Sequence, residues 1–169
     1  KPISEEEAAA MIRAAWDAGV RYFDTAPMYG HGLSEARLGA ALRWYPRDQY
    51  VISSKVGRIL VPTPREEIDF TPWTDGLPFK LRFDYSYDGT LRSIEDSLNR
   101  LGTDRIDIAF IHDCDVFTHG PQHQPGRFQE AMDGAWRALD RLRSEGVLKA
   151  IGVGVNEWQD CHEALQRRD

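Results

Sequence analysis

Cysteine is scarce in this chain of 169 residues: there are two, Cys114 and Cys161. Two thiols make no disulfide framework, and a reducing compartment is the simpler reading. A basic surplus is also missing. Lys and Arg number 21 against 27 Asp and Glu, giving a formal net charge of −6. That sign speaks against a nucleic-acid partner, whose phosphates need a basic face. The basic stretches "RALDRLR" and "QRRD" are interleaved with acids or Leu and read as solvated helix faces. No apolar run is long enough to span a bilayer, so no membrane partner is expected. No signal peptide stands at the start, although the first residue is Lys1, not Met. The expected location is cytoplasmic, and residues are expected to precede Lys1.

What is present is ordinary for a soluble globular protein: 41% hydrophobic and 28% charged residues. "SEEEAAAMIRAAWDAG" predicts a helix, with Ser4 and Glu7 as a capping box and Gly19 just past the end. Met11, Ile12, Ala15 and Trp16 share one face of it. "VRYFDTA" reads as a strand, "SEARLGAALRWY" as a helix capped by Ser34, and "QYVISSKVG" as a strand rich in β-branched residues. Residues 58–84 hold Pro62, Pro64, Pro72 and Pro78 and have no sustained period. They are expected to form a long functional loop. Its Phe70, Trp73, Phe79, Phe83 and Tyr85 could close over a site or simply pack on the domain. "DGTLRSIEDSLNRLG" returns to helix, with Leu91, Ile94, Leu98 and Leu101 on one stripe. "RIDIAFIHD" is a strand, "VFTHGPQHQPG" an expected loop, and "FQEAMDGAWRALDRLRSEG" one long helix stopped by Gly146. "LKAIGVGV" is the fourth strand, and "EWQDCHEALQRR" starts a last helix. The tryptophans at 16, 44 and 136 are expected to pack.

Regular α/β alternation argues for a parallel sheet with crossover helices. A doubly wound dinucleotide fold wants G-x-G-x-x-G between a strand and a helix. The nearest match, "GVGVNEW", lacks the third glycine. The strand ends favour a different architecture. The first three strands end at Asp24, Lys55 and His112, and the fourth runs into Asn156. A barrel curls such ends toward a common centre, whereas an open sheet spreads them along a line. The expectation is a (β/α)8 TIM barrel, with strands near residues 20–26, 50–56, 106–112 and 149–155. Four strands are half of eight, and half a barrel leaves two edges unpaired. Residues 1–169 are therefore expected to be one partial barrel domain, lacking an early strand and the last three.

The polar strand ends suggest a chemistry. A free phenol, with a pKa of about 10, transfers protons poorly near neutrality. An ammonium within a few Å stabilises the phenolate, so Lys55 could activate Tyr29, with Asp24 as the lysine's counterion. A histidine such as His112 can donate a hydrogen bond to a substrate oxygen. The sum is a tyrosine tuned for proton transfer at a carbonyl or alcohol oxygen. The companion hydride must come from a nicotinamide, since no side chain can donate one.

The segments "FDTAPMYG", "SEARLG", "ISSKVG", "SLNRLGTDRIDI", "FIHD" and "LRSEGVLKAIGVG" resemble the aldo-keto reductase family over nearly the whole chain. The resemblance implies a catalytic tetrad of Asp24, Tyr29, Lys55 and His112. Tyr29 is then the general acid/base, and Lys55 its activator. Asp24 pairs with Lys55 beside the nicotinamide ribose, and His112 orients the substrate. It also implies NAD or NADP as cofactor and a small-molecule substrate. "FDYSYDG" and "HDCDVFTHG" resemble the branch of pyridoxal 4-dehydrogenases and D-threo-aldose (L-fucose) 1-dehydrogenases. Members of that branch oxidise small cyclic hemiacetals to lactones. The chain departs from the family where the fourth strand usually runs into Ser-Asn, whose side chains hold the nicotinamide carboxamide. Here "GVGVNEW" leaves Asn156 as the candidate for that contact. The family's adenosine-phosphate motif lies on later strands, so the choice between NAD and NADP is not legible.

Two other readings stand beside this one. His112, Asp113, Cys114, Asp115, His119 and His123 form a possible metal cluster. His119 and His123 need a helix to aim both rings together, and Gly120, Pro121 and Pro125 argue against one, so no metal is expected. Cys114 is expected to be a small packed residue. The alternative function is a cofactor-binding regulatory or scaffold protein of the same fold with little turnover. An intact Tyr–Lys pair argues against it.

Overall fold

The structure, a computed structural model, describes residues 2–166. In chain order the elements are α1 (Glu5–Asp17), β1 (Tyr22–Asp24), α2 (Leu33–Leu42), β2 (Val51–Val56), β3 (Arg58–Pro62) and β4 (Phe79–Phe83). There follow α3 (Tyr87–Leu101), β5 (Ile108–His112), α4 (Val116–Glu130), α5 (Arg137–Ser144), β6 (Ala150–Gly154) and α6 (Trp158–Gln166). The last helix expected from sequence includes Arg167 and Arg168, which, like Asp169 of "QRRD", lie outside the described residues. Among the described residues no helix is long and apolar enough to cross a membrane.

Strands β1, β2, β5 and β6 lie side by side in that order, all parallel. The spatial order never reverses relative to the chain. A doubly wound sheet reverses at its switch point, so the sequential order is that of a barrel, as expected. The strand bounds also fall inside the expected ranges.

Period-2 alternation divides the strands into two faces. Phe23, Ile52, Ala109 and Ile111 join one buried cluster with Leu38 and Leu42 of α2, Ile94 and Leu101 of α3, and Leu139 of α5. The alternate positions, Asp24, Ser53, Lys55, Phe110 and His112, take the other face. Gly152 of β6 stands next to Phe110, where a Cβ would come within 3.2 Å of the ring.

Two buried carboxylates fasten the frame. Asp107, just before β5, is 1% exposed and accepts from the Ile52 N–H at 2.9 Å and from Arg47 at 2.6 Å. Burial opposes its ionisation, but Lys149, the Ile52 N–H and Arg47 hold the carboxyl below its ordinary range. Glu35 of α2 is fully buried, accepts from Ser54 of β2 at 2.7 Å, and pairs with Arg100 of α3 at 2.6 Å. A partner for each charge is the condition for burying it.

Several local expectations are corrected. Residues 58–84 contain an antiparallel hairpin, with β3 and β4 paired from Arg58↔Phe83 to Pro62↔Phe79. The prolines at 64, 72 and 78 sit beyond its paired strands, where no ladder N–H is needed. "VFTHGPQHQPG" lies within α4, not a loop; Gly120, with φ 71°, breaks the helix and lets Pro121 start its second part. The long helix after it is interrupted by a π-helical segment, Ala131–Trp136. There Gly134 lies so close under the Tyr85 carbonyl that a Cβ would collide with it. Ser34 is not the cap of α2. Gly32, with φ 94°, takes that place, and the Ser34 hydroxyl lies 2.9 Å from the Thr25 hydroxyl. Trp44 is 76% exposed and does not pack as expected. The Ser4–Glu7 capping box and Gly19 are as predicted.

The helix α2 approaches the end of α3 at Gly39, where a Cβ would run into the Leu101 carbonyl. Gly39→Ala is expected to destabilise the protein by about 1–3 kcal/mol, although alanine is the better helix former. Chemical denaturation checks this: the midpoint should fall with the slope unchanged.

Candidate active site

Strands β1 and β2 pair with Asp24 opposite Ser53. Lys55 lies two residues further on, on the same face. Its ammonium Nζ donates to Asp24 Oδ2 at 2.6 Å and to the Thr25 carbonyl at 2.9 Å. Ser53 Oγ donates to the other Asp24 oxygen at 2.5 Å, and the Tyr22 hydroxyl donates to Ser53 at 3.0 Å. Lys55 is 7% exposed, while the Asp24 side chain is 42% exposed. The lysine is thus buried beneath a carboxylate that still meets solvent. An ammonium has three N–H donors, and two are committed.

Tyr29 is delivered by a compact turn after β1. Gly30, His31 and Gly32 all have positive φ, at 59°, 50° and 94°. Two of the three are glycine, the residue that adopts this backbone without strain. His31 is held by Nδ1, 2.6 Å from the Phe79 carbonyl. The turn folds Tyr29 back over the strand ends. Lys55 Nζ lies 4.8 Å from its ring centroid, and the His112 ring meets it edge-on at 5.9 Å. From the hairpin's far end Trp73 packs on the same ring at 5.5 Å.

His112 closes β5 and is 6% exposed. Burial, with Arg58 and Lys55 nearby, pushes its imidazole pKa down to about 3. The ring is therefore neutral at physiological pH. Beneath it the buried Tyr85 hydroxyl donates to the carbonyls of His112 and Asp113, at 2.8 and 3.0 Å. Burial raises the Tyr85 pKa well above the ordinary phenol range, so this support does not titrate. Asp113 carries a positive φ of 54° and pairs with Arg58 at 2.5 Å.

Four of the five residues singled out from sequence, Asp24, Tyr29, Lys55 and His112, therefore converge. Asn156, two residues past β6, is tied to Asp115. Its backbone N–H and its Nδ2 donate to Asp115 Oδ2 at 2.6 and 2.9 Å. Asp115 also caps α4 by accepting from the Thr118 N–H at 3.0 Å. Burial opposes ionisation of Asp115, but these donors prevail and its pKa is lowered. Among the described residues no group of His, Cys, Asp and Glu is arranged to hold a metal ion. His119 instead lies 3.1 Å from the Tyr85 hydroxyl. Cys114 is fully buried with its thiol pKa pushed up to about 12 by burial, and is inert packing as expected. Sequence reasoning missed Ser53, Arg58, Asp113 and the support from Tyr85. Ser53 was within reach of it, since it stands two positions before Lys55 on one strand.

A groove of about 430 Å³ opens beside Asp24 and Tyr29, with Met11, Leu33, Leu38 and Trp73 among its walls. Apolar walls around a few polar groups are the usual make-up of a small-molecule site.

A model of the aldo/keto reductase family matches residues 1–169. The chain is 43% identical over 177 residues to pyridoxal 4-dehydrogenase of Microbacterium luteolum, covering 99% of this chain and 52% of the relative. It is 45% identical over 174 residues to D-threo-aldose 1-dehydrogenase of a Pseudomonas species, covering 100% and 50%. The chain thus spans about half the length of the curated relatives it matches. Among solved structures, an aldo-keto reductase of Bacillus halodurans in its holo form aligns with a TM-score of 0.72 at 25% identity, covering 98% of this chain and 47% of that one. An aldo-keto reductase of Klebsiella pneumoniae in complex with NADPH aligns with a TM-score of 0.64 at 28% identity, covering 98% and 44%.

The pKa of His112, lowered in the fold to about 3, makes stability depend on pH. The unfolded chain takes up this proton near pH 6.5 and the folded chain only near pH 3, so the contribution is complete above about 6.5 and is lost as pH falls toward 3. Its full size is on the order of 5 kcal/mol. NMR titration should find the His112 ring neutral between about pH 5 and 9. Removing the histidine by His112→Gln should flatten the acid side of the stability curve.

Proposed function

The chain belongs to the aldo/keto reductase family, and from that premise we propose that it serves an NAD(P)-dependent oxidoreductase acting on a small carbonyl, hemiacetal or alcohol. Its four parallel strands and flanking helices make about half of the α/β barrel of that family. Strand C-terminal ends are where such barrels place their chemistry.

The observation that carries the reading is the buried Lys55 ammonium, held by Asp24 and lying 4.8 Å from the Tyr29 ring centroid. The uncommitted N–H of Lys55 suits a phenolate, which it would stabilise against the phenol. In oxidation the Tyr29 oxygen takes the substrate hydroxyl proton; in reduction it returns a proton to the carbonyl oxygen. Neutral His112 donates to the same oxygen and orients it. The nicotinamide, when bound, supplies or accepts the hydride.

The residues fit such a cofactor. Asp24 keeps a half-exposed carboxylate beside the groove, a natural acceptor for ribose hydroxyls. Gly154, without a side chain, leaves room above the Lys55 stem, where a Cβ would sit 3.6 Å from Cε. Asn156, fixed by Asp115, is the candidate for the carboxamide. Pyridoxal-like aldehydes and the cyclic hemiacetals of aldoses are the proposed substrates, in keeping with the two curated relatives.

Tyr29→Phe in the full-length protein should cut turnover by about 10²–10⁴-fold and leave NADPH affinity, read by fluorescence titration, nearly unchanged. Lys55→Met, which removes the ammonium beside the Tyr29 ring, should slow turnover as well. Parental turnover in Tyr29→Phe would show that the proton-transfer assignment is wrong.

A further inference from the structure

Arg58 and Asp113 lie beside the four converging residues and have no part in the proton transfer described above. Arg58 opens β3, one residue past Gly57, whose φ of 97° turns the chain out of β2. A Cβ at Gly57 would collide with the Tyr85 ring, so the turn is held tight. The Arg58 guanidinium lies over Phe83, 4.4 Å from its centroid, and its side chain is 11% exposed. Asp113 directly follows His112. Its N–H donates to the Gly154 carbonyl at 2.9 Å, and its own carbonyl accepts from Tyr85. A positive φ is uncommon outside glycine, though Asp and Asn tolerate it. Here it returns the carboxylate toward the preceding side chain: Asp113 Oδ2 lies 3.5 Å from His112 Nε2 and 2.5 Å from Arg58.

The His112 ring distinguishes its two nitrogens. Nδ1 is buried with no hydrogen-bond partner. A neutral imidazole carries one N–H. On Nδ1 that hydrogen would be a buried donor with nothing to receive it. On Nε2 it lies near the Asp113 charge, whose 3.5 Å separation favours the hydrogen there without forming a hydrogen bond, so the N–H stays free for a substrate oxygen. Arg58 matters because burial alone raises the Asp113 pKa, and the guanidinium opposes that rise.

We propose that the Arg58–Asp113 ion pair positions His112, holding the ring in place with its hydrogen on Nε2 so that it acts as a donor toward the substrate oxygen. The pair touches neither substrate nor cofactor in this scheme and acts through the histidine. The structural half stands on the geometry alone; the catalytic half rests on the oxidoreductase reading.

The test uses the full-length protein. Two-bond ¹H–¹⁵N correlation NMR reports the His112 tautomer without any turnover. The parent should show the Nε2–H form alone. D113N keeps the shape of the side chain and tolerates the left-handed backbone, but loses the charge, and should show a share of the Nδ1–H form. R58M breaks the pair from its other end and gives the same readout should D113N fail to fold; R58K, which retains a cation, should keep the Nε2–H form. In kinetics D113N should lower kcat/KM by about tenfold or more, the scale on which orienting partners of histidines act. In an H112A background D113N should have little further effect, since the two act as one unit. An unchanged Nε2–H tautomer in D113N and R58M, or the same kinetic loss with and without His112, would overturn the proposal. A protein without oxidoreductase activity on any aldehyde or aldose would sink the function proposed above, and the tautomer measurement would still decide the positioning.

Discussion

Burial of the Lys55 ammonium is the constraint on which the rest of the site depends. A desolvated ammonium without a counter-charge costs several kcal/mol, a large part of the stability of a domain. Asp24 and the Thr25 carbonyl meet that need. They can do so only if β1 and β2 pair in one register. A slip of one residue would turn Lys55 toward the helices and Ser54 toward the site. The register is therefore fixed twice. Ser53 holds Asp24 on the site face, and Ser54 reaches the buried Glu35–Arg100 pair on the helix face. Neighbouring strand positions thus serve the chemistry and the scaffold in turn.

The same division explains why His112 is neutral beside an ionised pair. Burial disfavours the charged imidazole, and the positive neighbours Arg58 and Lys55 make a third cation in this space unfavourable. In the proposed reaction the site would keep one mobile proton on the Tyr29 oxygen and one fixed donor on a His112 nitrogen. Their environments set them apart, which is how neighbouring titratable groups take up different roles.

Much of this was legible in the sequence because the barrel leaves a coarse trace. Strands that end on Asp24, Lys55 and His112 break the apolar run at the point where the chain leaves the sheet, and the parallel order then gathers those ends. The capping box at Ser4 was legible for a similar reason: its partners are three residues apart. Features set by tertiary contact were not legible. The hairpin alternates over only five residues in each strand, with prolines between them, so its pairing is invisible until the strands meet. The helix at residues 116–130 survives its glycine and prolines because Gly120 divides it in two. The π-helical segment answers to the close approach of Gly134 to the Tyr85 carbonyl, a contact between residues about fifty positions apart. Trp44 has the spacing of a packing residue yet stands exposed, since periodicity names a face and not what covers it. The bonds that fix Asn156 to Asp115 are likewise invisible from spacing.

The hairpin's two ends have different attachments. Its base is locked under the site: Arg58 is tied to Asp113, and Phe83 stacks on Tyr85 at 5.9 Å. Its far end carries Trp73 to the ring of Tyr29, on a stretch braced by an ion pair between Arg65 and Asp75. That far end is fastened as well: the Leu77 N–H donates to the Gly30 carbonyl at 3.2 Å, and Phe70 packs on His31 at 5.1 Å, both in the turn that carries Tyr29. A change of length or composition within residues 63–78 would therefore be felt at the Tyr29 ring and in the wall of the groove together.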